Sequence, residues 1–339
     1  MGAKGLTIGV FDSGFGGLTV LRELLPLVAG SHCVYLGDTA RLPYGSKSRE
    51  TIARYALSSA RFLQQRGAEL LVVACNTAAA LALDDLRAAL PIPVIGVIEP
   101  GAEAAAATCR EQGTVTPASQ DRSPGTPTGN SHPSEPRPLA GGPDREQGTA
   151  GEVLVLATQA TIESHAYARA FAKLGLRATE KACPLLVPLV EEGWIGEETP
   201  GEDGSAKDAA RASITAQVLR IYLGEALREA PASRALLLGC THYPLLRPAI
   251  ERTLVELGHP LRVIDSAQAT ARVVSRILSG NCDTSEVLPG RGPARTVLAE
   301  VEEATCEFFA TDSVRKFERL GSRFLGRPVG QVQLVDLGG

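Results

Sequence analysis

The chain is 339 residues long, 44% hydrophobic and 4% aromatic, and its 34 Lys and Arg against 38 Asp and Glu leave a formal charge of −4. That length suits about two ordinary domains, and the apolar content suits globular cores. With no basic footprint, few aromatics and five scattered histidines, neither nucleic acid as a partner nor a metal site with zinc-like spacing is expected.

The N-terminus enters an apolar run without the long h-region and small-residue cleavage site of a secretory signal. Position 6 is Leu rather than the Ser or Thr of a myristoylation motif, and no stretch of about 18 apolar residues is present. The expectation is a soluble cytoplasmic protein with no membrane partner. The first strand is predicted over Leu6–Phe11, followed by Asp12, Ser13, the turn Gly14-Phe15-Gly16-Gly17 and a helix over Leu18–Leu27. Such a turn can present N–H groups to a carboxylate or phosphate. It lacks G-x-G-x-x-G spacing, and Gly45-Ser46-Lys47-Ser48 likewise fails the phosphate-loop pattern. Taken alone, each cluster reads as a tight turn.

A helix follows over Arg49–Arg66, then a strand over Leu70–Ala74 that runs into Cys75-Asn76-Thr77 and a helix over Ala78–Leu90. Val94–Val97 is the next strand and Ala102–Glu111 the next helix. From Thr116 to Ala150 the only branched aliphatic is Leu139 and there is no aromatic. A stretch of that composition cannot offset its ordering entropy, so residues 112–150 are expected to form a disordered insertion. Beyond it, Val153–Ala157 reads as a strand and Thr161–Leu174 as a helix. Gly201–Lys207 is a short polar insert, and Ile214–Arg228 is a helix. The strand Ala235–Gly239 leads into Cys240-Thr241-His242, a helix over Leu245–Leu257 and a strand over Leu261–Ile264. Continuous apolar strands alternating with helices predict an α/β fold with mainly parallel sheets.

The seven cysteines, at 33, 75, 109, 183, 240, 282 and 306, are expected as free thiols, and most as small buried hydrophobes. Cys75 and Cys240 differ from the rest. Each follows a buried strand, precedes polar groups and leads toward a helix, and ligands in open α/β sheets bind beyond the carboxyl ends of strands. A helix opening at each cysteine would favour thiolate. With an ordinary pKa of about 8.5, one thiolate and one thiol form the expected resting pair. One isolated strand-end cysteine would be read as core packing; two in matching contexts point to chemistry. A second echo pairs Asp12-Ser13-Gly14 with Thr158-Gln159-Ala160-Thr161, so two related half-sites are predicted in one chain.

These segments resemble the bacterial glutamate racemases of the aspartate/glutamate racemase family. The resemblance is carried by Asp12-Ser13-Gly14-Phe15-Gly16-Gly17, Gly37-Asp38-Thr39 with Pro43-Tyr44-Gly45, Ala74-Cys75-Asn76-Thr77-Ala78 and Gly239-Cys240-Thr241-His242-Tyr243-Pro244. Ala182-Cys183-Pro184 with Val187–Glu191, Ile264-Asp265-Ser266, and Phe308–Asp312 followed by Phe317 support it. The resemblance implies two similar α/β domains with the active site in the cleft between them, and no cofactor. Residues 1–97 and 264–339 would form the first domain and 98–263 the second. It implies interconversion of L- and D-glutamate by a thiolate on one face of the α-carbon and a thiol on the other, supplying D-glutamate to peptidoglycan and cell shape. Cys75 would act on D-glutamate and Cys240 on L-glutamate.

By the same resemblance Asp12 tunes Cys75, while His242 and Glu191 serve Cys240. Sequence leaves open whether Glu191 or Glu192 faces inward. Asp12, Ser13, Tyr44, Gly45, Asn76, Thr77, Thr158, Thr161, Thr241 and His242 would hold the substrate, with Asp38 orienting that shell; Asp12 and Asp38 could equally cap turns or helices. No metal is expected, and a homodimer is the expectation for assembly. The rival readings are a two-cysteine racemase for aspartate or a hydantoin acid, an amino-acid-binding protein on the same fold, and a cysteine hydrolase.

Overall fold

The computed structural model describes residues 5–113, 151–195, 206–280 and 303–338. The first half runs β1 (Thr7–Asp12), α1 (Leu18–Leu24), β2 (His32–Gly37), α2 (Arg49–Gln65), β3 (Leu70–Val73), α3 (Asn76–Ala89), β4 (Val94–Gly96) and α4 (Ile98–Gly113). The second runs β5 (Glu152–Ala157), α5 (Gln159–Glu163), α6 (Ala166–Lys173), β6 (Arg177–Ala182), α7 (Leu186–Glu191), α8 (Ala206–Glu229), β7 (Ser233–Gly239), α9 (Arg247–Glu256) and β8 (Arg262–Asp265). The chain closes with α10 (Ser266–Leu278), β9 (Thr305–Ala310), α11 (Val314–Leu325) and β10 (Val332–Leu334).

Two sheets result, one of six strands in the order β10-β9-β2-β1-β3-β4 and one of four in the order β6-β5-β7-β8. Every pair of neighbouring strands in both is parallel. This is the predicted α/β class. The central runs Leu70–Val73, Val153–Ala157 and Ala235–Gly239 are buried throughout, as strands covered by helices on both faces must be. In each sheet the strand order reverses at one place, between β1 and β3 in the larger and between β5 and β7 in the smaller. A crevice opens beyond the strand ends at such a point. Asp12 and Cys75 flank the first crevice, and Thr158 and Cys240 the second.

Several elements depart from the sequence expectation. The helix predicted to Leu27 ends at Leu24 and tightens into a 3₁₀ turn over Leu25–Leu27, where Pro26 cannot donate to an α-helical ladder. The single helix predicted over 161–174 is two helices, because His165 takes a left-handed backbone with φ 52°. Strand β6 was not predicted: RATEKA is a sheet-edge strand with no fully buried residue, so it lacks an apolar pattern. Helix α11 buries Phe317, Leu320, Gly321, Phe324 and Leu325, the i, i+3, i+4, i+7, i+8 stripe of a one-faced helix, and stops at Gly326 with φ 74°.

The first two residues of the predicted 112–150 insertion complete α4, and the last two of the 201–207 insert open α8. Their remainders, and Cys282, lie outside the described residues. Among the described residues no helix is long and apolar enough to cross a membrane.

Candidate active site

The carboxyl edges of the two sheets face each other, and the residues that project there bond across the gap. Thr19 in α1 donates to the Thr241 carbonyl at 3.1 Å. The Asn76 amide of α3 donates to the Tyr167 hydroxyl of α6 at 2.7 Å. The hydroxyls of Thr77, Thr158 and Thr161 form a triangle with edges of 3.0, 3.2 and 3.0 Å. One corner of it comes from the first half and two from the second.

Cys75 caps the N-terminus of α3, its sulfur accepting from the Ala78 N–H at 3.5 Å and lying 3.4 Å from the Ser13 hydroxyl. The helix predicted to open at Cys240 begins later. A 3₁₀ turn over Tyr243–Leu246 intervenes, with Pro244 in it, and α9 starts at Arg247. At Cys240 the backbone N–H of His242 takes the part of the helix terminus. The two residues are 5% and 6% exposed. Burial, followed by the nearby Asp12 charge, pushes the Cys75 thiol up to about 11. Burial pushes Cys240 up further, against the His242 N–H. Against the expectation of a thiolate beside a thiol, both thiols are raised, because loss of hydration outweighs the donors each sulfur receives.

Asp12 is fully buried at the end of β1, and the turn after it points inward. The Gly14 N–H donates to Oδ2 at 2.9 Å, and the N–H groups of Gly17 and Ser13 also bear on the carboxylate. The anion held by this glycine turn is thus the chain's own Asp12. Burial raises the Asp12 carboxyl, opposed first by the His242 charge and then by those N–H groups. Its Oδ1 has no hydrogen-bond partner, nor has the Asn76 side-chain oxygen. Two buried acceptors without donors are costly unless something fills the cleft.

On the opposite wall His242 Nδ1 lies 3.4 Å from the Thr241 hydroxyl and Nε2 lies 3.4 Å from Glu191 Oε1. Its ring meets Phe324 edge-on, with centroids 4.9 Å apart. Glu192 is exposed and Glu191 is partly buried, so Glu191 faces inward. Burial pulls the Glu191 carboxyl upward, but His242 and Lys316 together hold it below its ordinary value.

Asp38 does not face the cleft as a free group. Its side chain is fully buried and accepts from Tyr44, Arg41 and Thr311. That fixes the turn over Tyr44–Ser46, and a Cβ on Gly45 would lie 3.3 Å from Thr158. Thr311, Arg41, Tyr167 and Thr19 were missed from sequence; Tyr167 and Thr19 sit in the first turns of their helices, where no local pattern separates a partner from a packing residue. Cys183 is buried beyond β6, and its carbonyl accepts from the Tyr243 hydroxyl at 3.0 Å. Cys33 and Cys306 are register partners in β2 and β9, and Cys109 is buried in α4.

Among the described residues no group of three or more His, Cys, Asp or Glu could hold a metal ion. A cavity of about 770 Å³ between α4, β8 and α10 lies away from both thiols. Chemistry, rather than volume, marks the cleft.

A thiol at the switch point of each of two facing parallel sheets places the chain among two-domain α/β proteins with one cysteine on each wall of a cleft. The chain belongs to the Asp/Glu/Hydantoin racemase family, whose model matches residues 8–125 and 145–274, and it is therefore an isomerase. It is 44% identical over 341 residues to the glutamate racemase of Koribacter versatilis, with 98% of each chain covered. Among solved structures it resembles glutamate racemase RacE1 of Bacillus anthracis, with a TM-score of 0.71, 33% identity and 99% of each chain covered. It also resembles the Francisella tularensis glutamate racemase in complex with D-glutamate, with a TM-score of 0.69, 28% identity and 99% of each chain covered.

Proposed function

We propose that the chain interconverts L- and D-glutamate by two-base proton transfer, with no cofactor, and that Cys75 and Cys240 are the bases. The observation that carries this reading is the matched position of the two thiols at the switch points of facing sheets. Cys75 takes or gives the proton on the D face and Cys240 on the L face. The thiolate removes the α-hydrogen as a proton, and the opposite thiol delivers its own proton to the other side of the carbon, so no charge is gained or lost.

Burial raises both thiols, so a neighbouring base must assist the ionisation of whichever one removes the α-hydrogen. A carboxyl raised by burial is a better base than an ordinary one, which fits Asp12 for receiving the Cys75 proton. At Cys240 the corresponding base is His242, whose Nε2 is held by the ionised Glu191 carboxylate. The unpartnered oxygens of Asp12 and Asn76 suit the ammonium group. Ser13, Tyr44, Gly45, Thr77, Thr158, Thr161, Thr241 and His242 suit the carboxylates, with Asp38 holding Tyr44 in place. Preorganised donors in a cleft that excludes water supply the stabilisation that a weakly acidic α-hydrogen requires.

Domain boundaries at 97 and 264, a cytoplasmic location, a homodimer and supply of D-glutamate to peptidoglycan complete the proposal. Relatives named glutamate racemase over nearly the full chain support the substrate. Circular dichroism of the purified protein with each glutamate enantiomer, without added cofactor, tests it. Loss of optical signal from both enantiomers is expected, and faster turnover of aspartate would overturn the substrate assignment.

A further inference from the structure

Helix α11 packs on the larger sheet through Phe317 and Phe324, which sit against Phe15, yet it also reaches the other half. Lys316 Nζ lies 3.5 Å from Glu191 Oε2 and 5.4 Å from the centre of the Phe15 ring. Glu191 belongs to α7, and its second oxygen faces His242 Nε2 at 3.4 Å. Two turns further along α11, the Arg323 guanidinium lies against Gly193, where an added Cβ would be 2.7 Å away.

From the other elements around α7, α8 places Arg211 over the Trp194 ring, and the turn after Cys240 sends the Tyr243 hydroxyl to the Cys183 carbonyl. Among the described residues, the groups that bear on the Glu191 carboxylate are His242 and Lys316. Of these, Lys316 alone comes from an element packed on the larger sheet. A partly buried carboxylate stays ionised only beside positive charge. A cation supplied across the cleft does this only when the two halves are together.

We propose that Lys316 is a positioning residue that couples closure of the cleft to ionisation of Glu191, and through His242 to proton transfer at Cys240. The assignment rests on the two-base reading above. Lys316 touches neither thiol; it acts through the carboxylate, and its half-exposed side chain sets the effect at the scale of a surface ion pair.

The test compares wild type, Lys316→Met, Lys316→Arg, Glu191→Gln and the Lys316→Met/Glu191→Gln double variant in glutamate racemisation from pH 4.5 to 9. Because removing the cation favours the neutral acid, Lys316→Met moves the acid limb of kcat to higher pH. The loss is up to about twofold near pH 4.5 and vanishes toward pH 8, and Lys316→Arg restores the wild-type profile. In the Glu191→Gln background Lys316→Met has no further effect, since both act on one group. The carbon resonance of the Glu191 carboxyl, followed by NMR in ¹³C-glutamate-labelled protein, titrates at higher pH in Lys316→Met. An active wild type whose pH profile and Glu191 titration are unchanged by Lys316→Met overturns this assignment alone. A wild type that racemises no glutamate overturns the function reading, and this inference with it.

Discussion

Gly16 and His242 come from opposite halves of the molecule and meet so closely that no side chain fits between them. A Cβ on Gly16 would lie 2.6 Å from His242 Nδ1 and would collide with the Thr241 hydroxyl. The glycine turn that holds Asp12 is therefore also the surface on which the Cys240 wall seats. Gly16→Ala is expected to hold the cleft partly open. Displacement on the order of 1 Å at a reacting centre costs about 10²-fold, so kcat should fall by that order. The buried core is one cluster that runs through both halves, so the melting temperature should fall as well. Stopped racemisation assays beside thermal melts check this, and a variant with full turnover would contradict the seating role.

Each thiol is expected to be indispensable. Cys75→Ala and Cys240→Ala should each lower racemisation by about 10²- to 10⁴-fold or more, with α-deuterium uptake from D₂O accompanying wild-type turnover. Substantial racemisation in either variant would refute the two-base assignment.

The raised Cys75 thiol has its own pH signature. Its folded value near 11 lies above the ordinary 9.0, so between those values the unfolded chain releases a proton that the folded chain keeps. Stability is present in full below pH 9 and declines as pH rises through 11. Thermal melts from pH 8 to 11 should show that decline, and Cys75→Ala should make it shallower. Alkylation of Cys75 in the free protein by iodoacetamide should be slow at pH 7.5 and accelerate toward pH 11.

Asp12 is expected to trade stability for function. Burial raises its carboxyl and one oxygen lacks a partner, so the ionised form is disfavoured in the folded protein. That cost is absent below the ordinary carboxylate range and grows as pH rises through the folded value. Asp12→Asn should raise the melting temperature at pH 8 more than at pH 4, while turnover falls roughly 10²-fold. Equal melting at both pH values would show that the carboxylate carries no burial cost.

For Asp38 the expectation is structural first. Asp38→Ala leaves the Arg41 guanidinium, 12% exposed, without its carboxylate. Losing one partner of a buried pair costs about 3–5 kcal/mol, and the Tyr44 hydroxyl and Thr311 lose their acceptor as well. Denaturant melts should show the loss, together with a raised KM because the Tyr44–Ser46 turn is no longer fixed. A stability within about 0.5 kcal/mol of wild type would mean the cluster is solvated.

Much of this protein is written locally. Fully apolar runs such as Leu70–Val73 and Ala235–Gly239 can only be strands covered on both faces, so the parallel α/β class follows from sequence. In such a sheet the residue after a strand lies on the ligand-binding edge, which made Cys75 and Cys240 visible as a pair. Left unmarked in the sequence were the strands β2, β9 and β10, the polar edge strand β6, which lacks that signature, and the break at His165 within one helical pattern.

Tertiary structure alone decided the relationships between distant residues. Glu191 rather than Glu192 faces inward because His242, 51 positions away, and Lys316, 125 positions away, lie on its side. Asp38 proved to be a buried anchor because Thr311, 273 positions on, closes over it. Both thiols are raised because the cleft removes water from them, a quantity set by every atom around the sulfur and carried by no local pattern. Spacing along a chain encodes strands and the groups at their ends; charge state and orientation arise only when the two halves meet.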